Sequence, residues 1–153
     1  MKVFRLSKKK YCNDLSGRGA EIAGGRWNSK GVAMVYTSDS RALCTAEIAI
    51  RIPLGILPLD YYLIELEIPD TITIQDVPKK LPSDWKNWPH AKSTQHLGDA
   101  FVQKAQHTVL RVPSAVVQGD FNYLLNPNHP DFHQIKIIKT IPFEFDKRWA
   151  ESK

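Results

Sequence analysis

Apolar residues in this chain occur only in short runs, and prolines and glycines interrupt the longest of them. Ile52 to Leu59, for example, is broken by Pro53, Gly55 and Pro58. No run approaches the roughly 18 residues that a membrane-crossing helix requires. What remains is a series of short β-prone segments with two stretches of helical spacing among them. That is the pattern of an α+β domain. The 153 residues are 42% hydrophobic and amount to about one domain. A chain of this length buries roughly two thirds of its unfolded surface and needs no disulfide or metal to fold. Its aromatic and β-branched content excludes a disordered chain. Residues 1–153 are therefore read as a single domain, without repeat, linker or low-complexity tract.

The segments follow from side-chain periodicity. Lys2 to Leu6 reads as a short strand. Residues 12–31 hold five of the eight glycines and read as an ordered loop with unusual backbone angles. Ala33 to Tyr36 is β-prone. Thr37 to Ser40 then offers several helix N-caps, and Ala42, Leu43, Ala46, Ala49 and Ile50 predict a helix over 39–51. Pro53 ends it. Tyr61 to Ile68 is the clearest strand, with Tyr62, Ile64, Leu66 and Ile68 on one face and Leu63, Glu65 and Glu67 on the other. Thr71 to Gln75 is a second β-prone run. Leu97, Phe101 and Ala105 predict a helix over 94–106. Val109 to Val112 and Ile135 to Ile138 read as strands, with a turn-rich segment between them.

Charge and cysteine content narrow the functional classes. The net charge of +5 is an N-terminal feature. Lys2, Arg5, Lys8, Lys9 and Lys10 have no acid among them, while the remaining 143 residues carry 16 bases and 16 acids. Nucleic-acid binding calls for a basic face spread over the domain, so the Lys8–Lys10 run alone supports it poorly. Cys12 and Cys44 have no CxxC partner, which leaves no material for a disulfide scaffold or a cysteine zinc site. Cys44 falls in a helical pattern as a small core residue. The basic N-terminus is not followed by an apolar stretch of signal-peptide type, so a cytoplasmic location is expected.

Three constellations fail on their context. Gly17-Arg18-Gly19 opens a dinucleotide-binding pattern, but Ile22 takes the place of its third glycine, and no strand–turn–helix context is apparent. His129 and His133 are four apart, yet Asn126-Pro127-Asn128-His129-Pro130 is turn chemistry and no metal site is expected. Ser114 lies in Pro113-Ser114-Ala115, without a nucleophile elbow.

The stretch from Gly24 to Glu47 is more pointed. Arg26 lies between glycines and Trp27, where a guanidinium could grip a phosphate with two hydrogen bonds or stack on the indole. Tyr36 ends a β-prone run, where its ring can face a pocket. Glu47 lies among Cys44, Ala46, Ile48 and Ala49, with Leu43 and Ile50 on its helical side. An acid in such company has a partner or a chemical task, unless it is simply solvated.

The ordered set Gly-Gly-Arg-Trp-Asn (24–28), Val-Tyr-Thr-Ser (35–38), Glu47, Val-Pro-Ser-Ala (112–115) and Asn-Tyr-Leu-Leu-Asn-Pro-Asn-His-Pro (122–130) resembles the RES-domain family. The resemblance runs from Val3-Phe4-Arg5 to about Ile138 and includes Leu97-Gly98-Asp99. These are toxins of bacterial toxin–antitoxin pairs. The resemblance implies a split β-sheet core with flanking helices, similar to ADP-ribosyltransferases, and NAD as the substrate rather than as a held cofactor. It implies cleavage of the nicotinamide–ribose bond with phosphate or water as acceptor, or else transfer of ADP-ribose to a cellular protein. It further implies an Xre-family antitoxin, which occludes the site and itself binds the DNA. Arg26, Glu47 and Ser114 match the residues that name the family. With Tyr36 they form the expected catalytic set. Arg5, Arg26, Tyr36 and Asn126 are the expected substrate-binding residues. No metal is expected.

Overall fold

The computed structural model describes residues 1–151, so positions 152 and 153 of the expected domain lie outside the described residues. Seven strands form one sheet: β1 (Lys2–Lys8), β2 (Val35–Ser38), β3 (Tyr61–Glu67), β4 (Ile74–Asp76), β5 (Val109–Pro113), β6 (Phe121–Leu125) and β7 (Lys136–Phe143). Their order is β4-β5-β6-β2-β1-β3-β7. Every pairing is antiparallel except β4 with β5. Among the described residues, three α-helices accompany the sheet: α1 (Arg18–Ala23), α2 (Arg41–Ala49) and α3 (Lys92–Lys104). The α+β class is present, and the expected split falls inside one continuous sheet, at its weakest junction. β1 runs seven pairs deep against β3, but its register with β2 is a single pair, Phe4 with Ser38. The sheet opens at this junction.

Both faces of the sheet are covered, which explains why its central strands are apolar in continuous runs rather than in alternation. Val109, Tyr123 and Leu125 pack with Val3, Val35, Ile64 and Leu66 on one side. Leu110, Val112 and Leu124, one residue out of phase, pack with Trp27, Met34 and Phe101 on the other. At the β3 end, Leu6, Cys44, Leu63 and Phe145 form a third cluster.

The two longer helices form where the spacing predicted them, over Arg41–Ala49 rather than 39–51 and Lys92–Lys104 rather than 94–106, but they bury a partly different set of positions. α2 begins at Ser40, whose hydroxyl accepts from the Leu43 N–H at 3.0 Å. Leu43 and Cys44 are its buried residues, whereas Ile50 points into solvent at 64% exposure. The buried line of α3 is Thr94, Gly98 and Phe101 rather than Leu97, Phe101 and Ala105. Ala105 is instead its left-handed cap.

Four segments depart from the sequence reading. The glycine-rich stretch contains the helix α1, bounded by Gly17 at φ 72° and Gly24 at φ 70°. The absence of a helix after Gly17-Arg18-Gly19 is therefore corrected, although β1 ends well before it. β6 lies within the region read as turns, because Phe121 to Leu125 is framed by turn residues on both sides. β7 extends five residues past Ile138, through Pro142, at a sheet edge that tolerates a proline. Finally, the expected polar face of β3 is covered. Leu63 joins the third cluster, and Glu65 is 5% exposed beneath Lys2 and Arg41, at 2.8 and 3.1 Å.

Candidate active site

The opening between β1 and β2 is a cavity of about 430 Å3. Phe4, Arg5 and Leu6 contribute one wall from β1, and Tyr36, Thr37 and Ser38 the other from β2. α2 supplies Cys44, Glu47, Ile48 and Arg51 just past its end, and the glycines of the α1 region form part of the rim. Trp88 and His90 close the mouth from the segment before α3. A strand pair with a full ladder would have no room here. The site exists because β1 and β2 separate after one pair.

Glu47 is held on one carboxylate oxygen. Ser114 Oγ donates to its Oε1 at 2.7 Å, and Asn122 Nδ2 donates to the same oxygen at 2.7 Å. The backbone N–H groups of Val116 and Val117 donate to Ser114 Oγ at 3.1 and 2.9 Å. With its lone pairs occupied, the single hydroxyl proton of Ser114 is directed at Glu47. Among the described residues, Oε2 of Glu47 accepts no hydrogen bond, which leaves that oxygen for a ligand.

Tyr36 is anchored at its hydroxyl. It donates to Asn28 Oδ1 at 2.7 Å and accepts from the Trp27 N–H at 3.1 Å. Burial pushes its phenol well above the ordinary value, so it stays neutral. Gly25 is obligatory beside it, since a Cβ there would lie 2.7 Å from the Tyr36 hydroxyl oxygen. Asn28 is fully buried, and its amide nitrogen reaches the carbonyls of Ala20 and Val32 at 2.8 and 2.9 Å. The Gly-Gly-Arg-Trp-Asn segment is thus a built turn that presents a tyrosine ring to the cavity.

The arginines differ from one another. Arg5 lines the cavity, and one guanidinium nitrogen donates to the Asp14 carbonyl at 2.9 Å. Burial lowers its pKa, and Asp14 opposes that shift. Arg26 does not line the cavity directly. Its Nη1 donates to the carbonyls of Trp85 and Asn87 at 2.6 and 3.1 Å. It therefore ties down the segment that carries Trp88 and His90, while burial lowers its pKa and the nearby Glu47 opposes that shift. Arg51, one helical turn beyond Glu47, is exposed on the cavity wall. His90 is held below the ordinary histidine value by burial and then by Arg26 and Arg51, which keeps it neutral.

Of the expected residues, Arg5, Tyr36 and Glu47 line the cavity, Ser114 reaches it through Glu47, and Arg26 braces its mouth. Asn126 is elsewhere. It is 1% exposed, and its Oδ1 accepts from the Asn128 N–H at 3.0 Å. It lies one residue past the end of β6, about 13 Å from Asn122 at the strand's rise per residue, and Asn122 is the asparagine that lines the cavity. Sequence reasoning also missed Ser38, Arg51, Trp88 and His90. Arg51 had a signal, its helical spacing of four from Glu47. His129 caps a short turn, where its Nδ1 accepts from the Asp131 N–H at 3.0 Å.

The sequence profile described as RES domain matches residues 2–146. A protein of Sphingobium sp. described as "Prs ADP-ribosylating toxin" is 40% identical over 139 residues, covering 89% of this chain and 86% of that one. "Toxin Res" of Photorhabdus laumondii is 34% identical, covering 100% of this chain and 99% of its own. "Toxin Res" of Yersinia enterocolitica is 31% identical, covering 97% and 99%. Among solved structures, the M. tuberculosis MbcT–MbcA toxin–antitoxin complex contains a chain that superposes with a TM-score of 0.75 at 20% identity, over 94% of this chain and 84% of that chain. With the profile matched across nearly the whole length and full-length relatives above 30% identity, the chain belongs to the RES domain family.

Proposed function

We propose that this protein is the toxin of a toxin–antitoxin pair and that its cavity cleaves the nicotinamide–ribose bond of NAD, with phosphate or water as acceptor. The observation that carries the reading is Glu47, fixed through one oxygen and open through the other, in a cavity walled by Tyr36, Arg5 and Arg51. The bond breaks as its electron pair leaves with nicotinamide, which departs neutral from a cationic precursor, so no general acid is needed. The ribosyl carbon becomes oxocarbenium-like, as in glycoside hydrolysis. Glu47 stabilises that charge and orients the ribose hydroxyls. Arg5 and Arg51 hold the diphosphate, and the Tyr36 ring faces the cationic nicotinamide. A phosphate oxygen or water then bonds to the ribosyl carbon, and water's proton passes to solvent. The toxin names of the relatives support this reading, as does the toxin–antitoxin complex to which the fold is similar. The same complex supports an antitoxin partner, which we take to be of Xre type and to close the cavity.

The name of the Sphingobium relative favours a second reading, in which ADP-ribose is transferred to a cellular protein. One experiment tests both. Labelled NAD is incubated with pure protein, with and without phosphate, and in a cell lysate. Free ADP-ribose or its phosphorylated form supports degradation, and a labelled protein band supports transfer. Intact NAD in every sample would overturn both.

A further inference from the structure

Asn122 and Ser38 belong to no part of the mechanism so far, yet they form a chain of short hydrogen bonds that ends on Glu47. Ser38 Oγ donates to Asn122 Oδ1 at 2.7 Å, and Asn122 Nδ2 donates to Glu47 Oε1 at 2.7 Å. The amide orientation has one consistent solution, because a carboxylate accepts only and so must face the NH2 group. Ser38 is 4% exposed at the end of β2, and Asn122 is paired with it in register on β6. Both come from rigid strands, whereas Glu47 rides on the last turns of a nine-residue helix beside a cavity.

We propose that Asn122, held by Ser38, is a positioning residue that sets the Glu47 carboxylate in one rotamer and leaves Oε2 as the oxygen facing substrate. Ser114 alone is insufficient for this. One donor on one oxygen allows the carboxylate to pivot about that bond, and two donors from different strands on the same oxygen stop the pivot. Asn122 also excludes the alternative in which Oε1 faces the ligand, since both protein donors converge there. Ser38 in turn holds the amide in the orientation that donates. A flipped amide would present its oxygen to the carboxylate and repel it.

The proposal rests on the NAD-cleaving reading for its kinetic consequence but not for its structural one, so two measurements separate them. In the first, NAD turnover is compared in the full-length protein and in Asn122→Ala, Asn122→Asp and Ser38→Ala. A misplaced catalytic group costs on the order of 100-fold in rate. We expect Asn122→Ala and Asn122→Asp to lose about that much kcat with the KM for NAD changed by less than about threefold, and Ser38→Ala to lose about tenfold or less. A KM that rises while kcat is kept would make Asn122 a substrate ligand and overturn the positioning role. Turnover within twofold of the parent in all three would do the same.

The second measurement needs no activity. Crystal structures of the parent and of Asn122→Ala are compared at the Glu47 side chain. We expect one carboxylate rotamer in the parent, with Oε1 on Ser114 and Asn122, and a second or displaced rotamer in the variant. An unchanged single rotamer in the folded variant would overturn the proposal even if NAD is cleaved. A displaced carboxylate upholds the positioning role even if NAD is not.

Discussion

Glu47 and Cys44 are one helical turn apart on α2 and face the same cavity with opposite chemistry. Glu47 has two donors on one oxygen and a free second oxygen, which suits it to stabilise a developing cation. Glu47→Gln keeps the shape and removes the charge. It is expected to lower the proposed NAD cleavage about 100-fold or more while leaving the thermal unfolding midpoint within a few degrees, as read by nicotinamide release and circular dichroism. Cys44 is buried among Leu6, Leu63 and Phe145, and burial pushes its thiol up to about 12. The thiolate is the reactive form, so a thiol reagent at pH 8 should label Cys12 much faster than the 4%-exposed Cys44 in the native protein, and both alike after unfolding. Rapid native labelling of Cys44 would contradict its place in the core. At this scale much was legible. Tyr36 and Glu47, singled out by their setting in the chain, and Arg5, expected from the family resemblance alone, all line the cavity. Asn126 does not, because it lies one residue past β6 while Asn122 lies near the strand's start, and only the strand's position decides which end meets the cavity.

At the scale of elements, α3 braces the turn that carries Tyr36's partners. Gly98 lies against the Trp27 carbonyl so closely that any Cβ would overlap it. One helical position on, Asp99 accepts from the Ser29 N–H and Oγ at 2.9 and 2.6 Å, and Gln95 donates to the Gly25 carbonyl at 3.0 Å. Gly98→Ala must push the helix away and should cost about 3 kcal/mol or more, at the upper end of overpacking. Asp99→Ala leaves two donors without their acceptor and should cost roughly 1–3 kcal/mol. Urea denaturation of each variant checks these values. Because the brace holds the turn that anchors Tyr36, both variants are also expected to lose the proposed NAD cleavage in the surviving folded fraction. α2 was readable because its apolar positions repeat and Ser40 caps it. α1 was not. Six residues between two glycines carry no periodic signal, and contacts made by Asn28 and Met34 hold it in place.

Across the whole molecule, charge is distributed by the fold rather than by the chain's order. Lys2 comes from the basic N-terminus, Arg41 from the start of α2 and Glu65 from the middle of β3, and they meet as one group. The Lys2 ammonium, hydrogen-bonded to Glu65 with Arg41 beside it, holds that carboxyl below the usual carboxylate range. A folded value below the unfolded one means the contribution is full above the unfolded value, about pH 4.3. It is lost as pH falls through the folded value. Glu65→Gln should therefore lower the urea midpoint at pH 7, and the gap from the parent should close as the pH falls below about 4. A gap independent of pH would assign Glu65 a packing role only. The same rearrangement divides the N-terminal +5. Arg5 enters the cavity, Lys2 covers Glu65, and Lys8 donates to the Leu59 carbonyl at 2.9 Å.

The sequence by itself determined the class of the fold, the longer helices and most strands, because periodicity and caps are local properties. It determined the family too, because the spaced motifs are a property of chain order. Tertiary structure decided where the sheet opens, which polar groups meet on Glu47 and which asparagine reaches it. Those outcomes depend on the pairing of strands far apart in the chain, β1 with β2 by one residue pair and β2 with β6 by four, and no local pattern encodes a register between distant segments.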